Sequence, residues 1–184
     1  MESTATRYRI IKETFPSELI SIIGSILAGI ILSILILPFK SFPVLILIVP
    51  ALLSLRGNIS GPFIARTSRD LILGEFGIKS WGENVLATYV LAIVTSILIG
   101  IISVFMNSFI FRLYLLEPGT IIVIPTVSML FSLSISIPIS TIMNYVAFKL
   151  GFDPNNTVGP IMTAIDDFFS VVSFYLTLIL LGVP

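Results

Sequence analysis

Charged residues along this chain fall into short clusters, and long apolar runs separate them. Leu19 to Leu37 is uncharged over 19 residues and stops at Pro38. Ser41 to Leu55 is uncharged over 15 residues, carries Pro50 inside it, and runs into Arg56-Gly57-Asn58. Asn84 to Phe111 is uncharged over 28 residues and Pro118 to Phe148 over 31. From Pro154 onward the only charges are Asp166 and Asp167. A helix needs about 20 apolar residues to cross roughly 30 Å of hydrocarbon. The pattern predicts an all-α integral membrane protein with five transmembrane helices, over about 17–38, 41–58, 84–111, 118–148 and 155–183. At 1.5 Å per residue the second uncharged run reaches only roughly 22 Å. It is either a half-span, or a helix that continues through Arg56 and Asn58 where protein or water shields them.

Composition narrows the chemistry. Hydrophobic residues make up 56% of the chain and charged residues 11%, against roughly 25% charged in a soluble domain. Residues 1–184 are expected to form one transmembrane domain in contact with lipid, with no soluble regulatory domain. Arg7, Arg9, Lys12 and Glu13 precede a first run too long for a signal peptide, so no cleavable leader is expected. A net charge of zero suggests no nucleic-acid partner. With no Cys and no His, thiolate and imidazole catalysis and the usual zinc, copper and haem ligands are absent. A bound metal must be held by oxygen, which favours Mg²⁺, Ca²⁺ or Mn²⁺.

Basic residues orient the spans. With the N-terminus in the cytoplasm, Arg7, Arg9, Lys12, Arg56, Arg66, Arg69, Lys79 and Lys149 lie inside, while Lys40 and Arg112 lie outside. Eight against two predicts a multi-pass cell-membrane protein with its N-terminus cytoplasmic and its C-terminus outside. Arg56 to Lys79 would then be a cytoplasmic connection, partly helical along the membrane surface.

Asp166 and Asp167 are the main chemical clue, because a carboxylate at membrane depth costs about 2.5–3.5 kcal/mol on insertion scales. Such a group faces a water-filled path, or it is neutralised by protonation or by a buried Arg. Neighbouring helix positions point about 100° apart, so the two cannot share a face. Thr163, Asp167 and Ser170 form a polar stripe at helical spacing. Asp166 has Met162, Phe169 and Ser170 around it, a more apolar setting. Asp167 is therefore the better candidate for lining a path. In the fourth span Ser128, Ser132, Ser136, Ser140 and Asn144 recur every four residues. This band suits close helix packing, a hydrophilic path, or both. Pro125 and Pro138 free backbone carbonyls in the same span. An intramembrane aspartyl protease needs two facing carboxylates; adjacent acids on one helix do not supply them, and no enzyme is expected.

The run Val49-Pro50-Ala51-Leu52-Leu53-Ser54-Leu55-Arg56-Gly57-Asn58, with Ala65-Arg66-Thr67-Ser68 and Leu73-Gly74-Glu75 after it, resembles the signature of the MgtE-type magnesium transporters. It is most similar to the half-repeat of their eukaryotic solute-carrier relatives. Asp153-Pro154, Gly159-Pro160, Thr163 and Asp167 resemble the second signature, in which an Asp follows the Pro by seven residues. The resemblance implies an MgtE-like membrane domain that dimerises around an ion path. It also implies that Asp167 binds hydrated Mg²⁺, and that Gly57 and Asn58 lie near the cytoplasmic side.

The candidate metal residues are thus Asp167, Thr163 and Asp166. The candidate ion-path residues are Asn58, Gly57, Pro160, Ser170, Ser136 and Asn144. The expected function is transport of a partly hydrated divalent cation, Mg²⁺ foremost with Ca²⁺ or Mn²⁺ open, through a homodimer or a heterodimer with a paralogous half. The alternative is a small membrane subunit that assembles with a separate transporter.

Overall fold

The structure is a computed structural model that describes residues 2–112 and 115–183, without the side chains of residues 2–6 and Phe111. Helix α1 spans Glu2–Ile34, α2 Ile36–Ser41, α3 Val44–Leu73, α4 Ile78–Met106, α5 Pro118–Lys149 and α6 Pro154–Leu180. A π-helical turn, Asn107–Phe111, extends α4. Among the described residues there is no strand. Five helical segments are long and apolar enough to cross a membrane: Arg7–Ile34, Val44–Leu73, Ile78–Ile110, Pro118–Lys149 and Pro154–Leu180. The all-α, five-span architecture expected from the apolar runs is the one found.

Helices α3, α4, α5 and α6 pack around a common core, each against its neighbours, with α3 also touching α5 across the middle. Helix α1 lies outside this group and packs on α6. The bundle is apolar outward and small or polar inward. On α4 the buried positions are Asn84, Thr88, Ala92, Ser96, Gly100 and Ser103. Leu86, Val90, Val94, Leu98, Ile101 and Phe105 on the same helix are exposed. Lipid tails are as apolar as Leu, so helix association gains from close approach and interhelical hydrogen bonds rather than from hiding Leu. Gly100 supplies that approach: a Cβ there would lie 2.5 Å from the Ile122 Cα on α5. Gly24 on α1 does the same against Ala164 on α6. The apolar core runs through Leu45, Ile48, Leu52, Ile124, Leu133 and Phe174.

The second span differs from the expected 41–58. Phe42 and Pro43 separate α2 from α3, which then continues unbroken through Arg56, Gly57, Asn58, Gly61 and Pro62 to Leu73. Of the two alternatives for this run, the helix that continues through Arg56 and Asn58 is the one found, and it takes in most of the connection 56–79 as well. Arg56 is buried and paired with Asp166, so its charge does not require the helix to end there. Helix-weakening Gly and Pro are tolerated where no water competes for the backbone. The real stop is Gly74, in the left-handed region at φ 71°, with the Glu75 and Phe76 N–H groups closing onto the Asp70 carbonyl. Helix α1 begins in the charged segment well before residue 17. It ends at Ile34, whose carbonyl Pro38 would otherwise crowd.

Gly100→Ala should cost about 1–3 kcal/mol, because the α4–α5 backbones must separate. Gly29→Ala, with nothing within 4 Å of its Cβ, should be neutral. Thermal unfolding of the two variants in mild detergent checks this; equal melting points would remove the close-approach account.

Candidate functional site

Two adjacent acids sit at the middle of α6 and meet opposite fates. Asp167 is thirteen residues from either end of the helix, roughly 20 Å from each. Asp166, beside it, is buried at 1% exposure. Its Oδ1 accepts from Arg56 Nη2 at 2.7 Å, and the Ser60 and Ser136 hydroxyls also donate to its carboxylate. Arg56 is itself 2% exposed. Two helices thus converge on the carboxylate that α6 presents: α3 through Arg56 and Ser60, one turn apart, and α5 through Ser136.

Asp167 faces elsewhere. It is half-buried, and its Oδ2 accepts from Ser25 Oγ on α1 at 3.0 Å. Among the described residues the ion pairs are Arg56–Asp166 and Arg9–Glu13, so Asp167 has no cationic partner there. Thr163, one turn earlier, is exposed, and its hydroxyl bonds the Gly159 carbonyl. Pro160 is half-buried and, lacking an N–H, leaves the Asn156 carbonyl without its helical donor.

The remaining candidates divide between two faces. Ser170 is buried and bonds Ser132 at 3.1 Å, turning toward α5 rather than along the Thr163–Asp167 face. Ser136 and Asn144 are also buried. The hydroxyl band of α5 is therefore a seam inside the protomer, in which Ser132 and Ser136 are tied to α6 and Ser128 to its own backbone, while Ser140 Oγ and Asn144 Oδ1 are buried without a partner among the described residues. Gly57 and Asn58 are exposed on α3. They belong to an exposed strip of Ser54, Gly57, Asn58, Gly61 and Ala65 on α3. Gly57 lies about 100° round α3 from Arg56, and Asp167 about 100° round α6 from Asp166.

Sequence reasoning missed Ser25 and Ser60. Ser25 belongs to a small-residue face that reads as packing. Ser60 stands one turn from Arg56, a relation visible only if α3 continues past Asn58. Chemically, among the described residues no three acids gather to strip a metal of its water. The outer face offers one free carboxylate with hydroxyls nearby, a donor set suited to an ion that keeps most of its hydration shell.

Removing one partner of the buried pair leaves an uncompensated charge. Asp166→Asn and Arg56→Met should each cost about 3–5 kcal/mol, and Arg56→Met with Asp166→Leu together should recover much of that loss. Thermal unfolding in detergent measures the cycle; additive losses in the double variant would show that the pair is not a coupled unit.

Neither a characterised protein nor a solved structure matches this chain. A family model does: MgtE, divalent cation transporter, matches residues 49–177, which span α3 to α6 and include both Arg56 and the two acids. With more than half of the chain matched across the helices that build the site, this multi-pass membrane protein belongs to the MgtE family of divalent cation transporters.

Proposed function

We propose that this chain moves partly hydrated Mg²⁺ along the axis of a dimer, with Asp167 of each protomer as the intramembrane ligand. The observation that carries the reading is the contrast within one dipeptide. Asp166 is neutralised by Arg56 inside the protomer, while Asp167, at the same depth, looks outward with only the Ser25 hydroxyl on it. A half-exposed carboxylate facing lipid would be costly. Facing an aqueous path, it would attract a divalent cation. Mg²⁺ dehydrates reluctantly and is commonly held by one or two carboxylates with waters completing the octahedron. A single Asp from each of two chains suits that demand and leaves the ion loosely enough held to move on.

The strip of Ser54, Gly57, Asn58, Gly61 and Ala65 favours a second copy as the partner. Most exposed large residues on the other helices are Leu, Ile, Val and Phe, whereas this face of α3 is small and polar, the composition of membrane helix interfaces. Asn58 would leave its amide unsatisfied against hydrocarbon. Gly57 and Asn58 are then wall positions of the path rather than the end of a broken helix.

Orientation in the cell membrane follows from the basic residues. Arg56 leaves the cytoplasmic tally because it is buried in α3, so eight becomes seven, against Lys40 and Arg112 on the other side. The bias still favours a cytoplasmic α3–α4 turn. The chain has no Cys, so single cysteines report cleanly. Lys79→Cys and Gly151→Cys should be protected from an impermeant maleimide in intact cells, and Ser41→Cys and Glu117→Cys should be labelled. In membranes, Gly61→Cys should cross-link to a species of twice the chain mass, while Ile26→Cys on the outer face of α1 should not. The reverse labelling pattern would invert the topology, and a monomer that still transports would remove the dimer axis.

Flux into liposomes by the purified chain tests the function directly and separates a transporter from an assembly subunit without flux of its own. At about 100 times its Kd, a cation that binds only the folded state adds about 2.7 kcal/mol of stability. Asp167→Asn should lose most of that stabilisation and most flux while keeping the apo melting point. Asp166→Asn should lower the apo melting point instead. Wild-type flux in Asp167→Asn would refute the assignment.

A further inference from the structure

We infer that a cavity between α3, α4 and α5 holds one water molecule, which accepts a hydrogen bond from Arg56 Nε and joins the guanidinium to Ser140. The inference rests on buried polar atoms and does not depend on the transport reading. Arg56 donates from Nη2 to Asp166 at 2.7 Å, but its Nε is buried with no partner among the described residues. Ser140, one turn beyond Ser136 on α5, is 3% exposed, and its hydroxyl is likewise buried without a partner among those residues. A buried donor left unpaired costs the full desolvation of that group, and more when the group is charged. Both residues line the same cavity.

Size and charge select the occupant. The space open to the centre of a water-sized sphere is about 10 Å³, about what a single water needs. Arg56 and Asp166 neutralise each other, so the cavity suits a neutral molecule; an anion there would leave an uncompensated buried charge. Hydrogen-bonding capacity points the same way, since a buried water makes about three hydrogen bonds. Arg56 supplies the donor to its oxygen. Ser60, Thr88 and Ser136 also line the cavity, and each already donates its hydroxyl hydrogen elsewhere. The two serines donate to Asp166, and Thr88 donates to the Asn84 carbonyl at 2.7 Å. Their oxygens keep lone pairs that can accept from a water, and Thr88 offers such an acceptor on α4. The rest of the wall, Phe63, Leu133 and Ile137, is apolar and buried, which cuts the site off from lipid and bulk water. By satisfying Nε, the water lets the guanidinium keep Nη2 on Asp166.

A structure of the full chain in mild detergent, at a resolution that shows ordered water, should hold one peak within hydrogen-bond distance of both Arg56 Nε and Ser140 Oγ. Thermal unfolding adds a test of sign. In a dry cavity, Ser140→Ala removes an unpaired buried hydroxyl and should leave the melting point unchanged or raise it. With the water in place, the same change removes one of its bonds and should lower the melting point by roughly 2–4 °C, the effect of one hydrogen bond in a chain of this size. Ser173→Ala is the control. Its hydroxyl is also buried without a partner among the described residues but does not line this cavity, so its melting point should not fall. The unsubstituted chain should melt at the same temperature in chloride and in gluconate. An empty cavity, a direct bond between Arg56 Nε and Ser140 Oγ, or an unchanged or raised melting point in Ser140→Ala would each overturn the site. So would a fall of the same size in Ser173→Ala, or a melting point that rises with chloride.

Discussion

The ion pair between Arg56 and Asp166 is the constraint on which the arrangement of this bundle depends. A charge in hydrocarbon is tolerated only when another charge and hydrogen bonds surround it. Here the two partners come from α3 and α6, and Ser136 of α5 completes the set. Replacing a buried pair by well-packed apolar residues can be neutral, so the pair need not exist for stability as such. What it adds is register. Arg56 finds one carboxylate at its own depth, and that meeting fixes the rotation of α6 about its axis. Once Asp166 points inward, Asp167 must point about 100° away.

On the proposed reading, that rotation separates structure from function within two residues. An inward acid with a guanidinium partner is held as part of the core. The outward acid has only the Ser25 hydroxyl on it. On the proposed reading, the same α6 therefore both anchors the protomer and presents the cation ligand. Helix α1 contributes on that outer side through Ser25, with Gly24 bringing its backbone against Ala164 so that the hydroxyl reaches Asp167. The small residues of α1 thus do more than pack.

The hydroxyl band of α5 shows how one pattern admits two readings until its neighbours are known. Ser128, Ser132, Ser136, Ser140 and Asn144 fall on one face at four-residue spacing, and all are buried. Ser132 meets Ser170 and Ser136 meets Asp166, while Ser128 bonds back to the Ile124 carbonyl. In a setting without water these contacts satisfy polar groups and hold helices together. The polar surface left outside the protomer is instead on α3 and on the Thr163–Asp167 side of α6.

Several properties of this protein were determined by the sequence alone. Uncharged runs of membrane length set the number of spans, because no soluble surface is built from so few charges. The lack of Cys and His confined metal chemistry to oxygen ligands. The two signatures around Arg56-Gly57-Asn58 and Pro160–Asp167 pointed to the family that the match over residues 49–177 establishes. Helical spacing distinguished Asp167 from Asp166, since directions on one helix follow from the chain itself. The tertiary structure decided the rest. Arg56 and Asp166 are 110 residues apart, and only their meeting shows how a charge inside α3 is neutralised within the bundle. Ser25 and Asp167, 142 residues apart, are likewise invisible to any local window. Local periodicity reports which residues share a face of one helix; whether a charge on that face is neutralised depends on what another helix brings to the same depth.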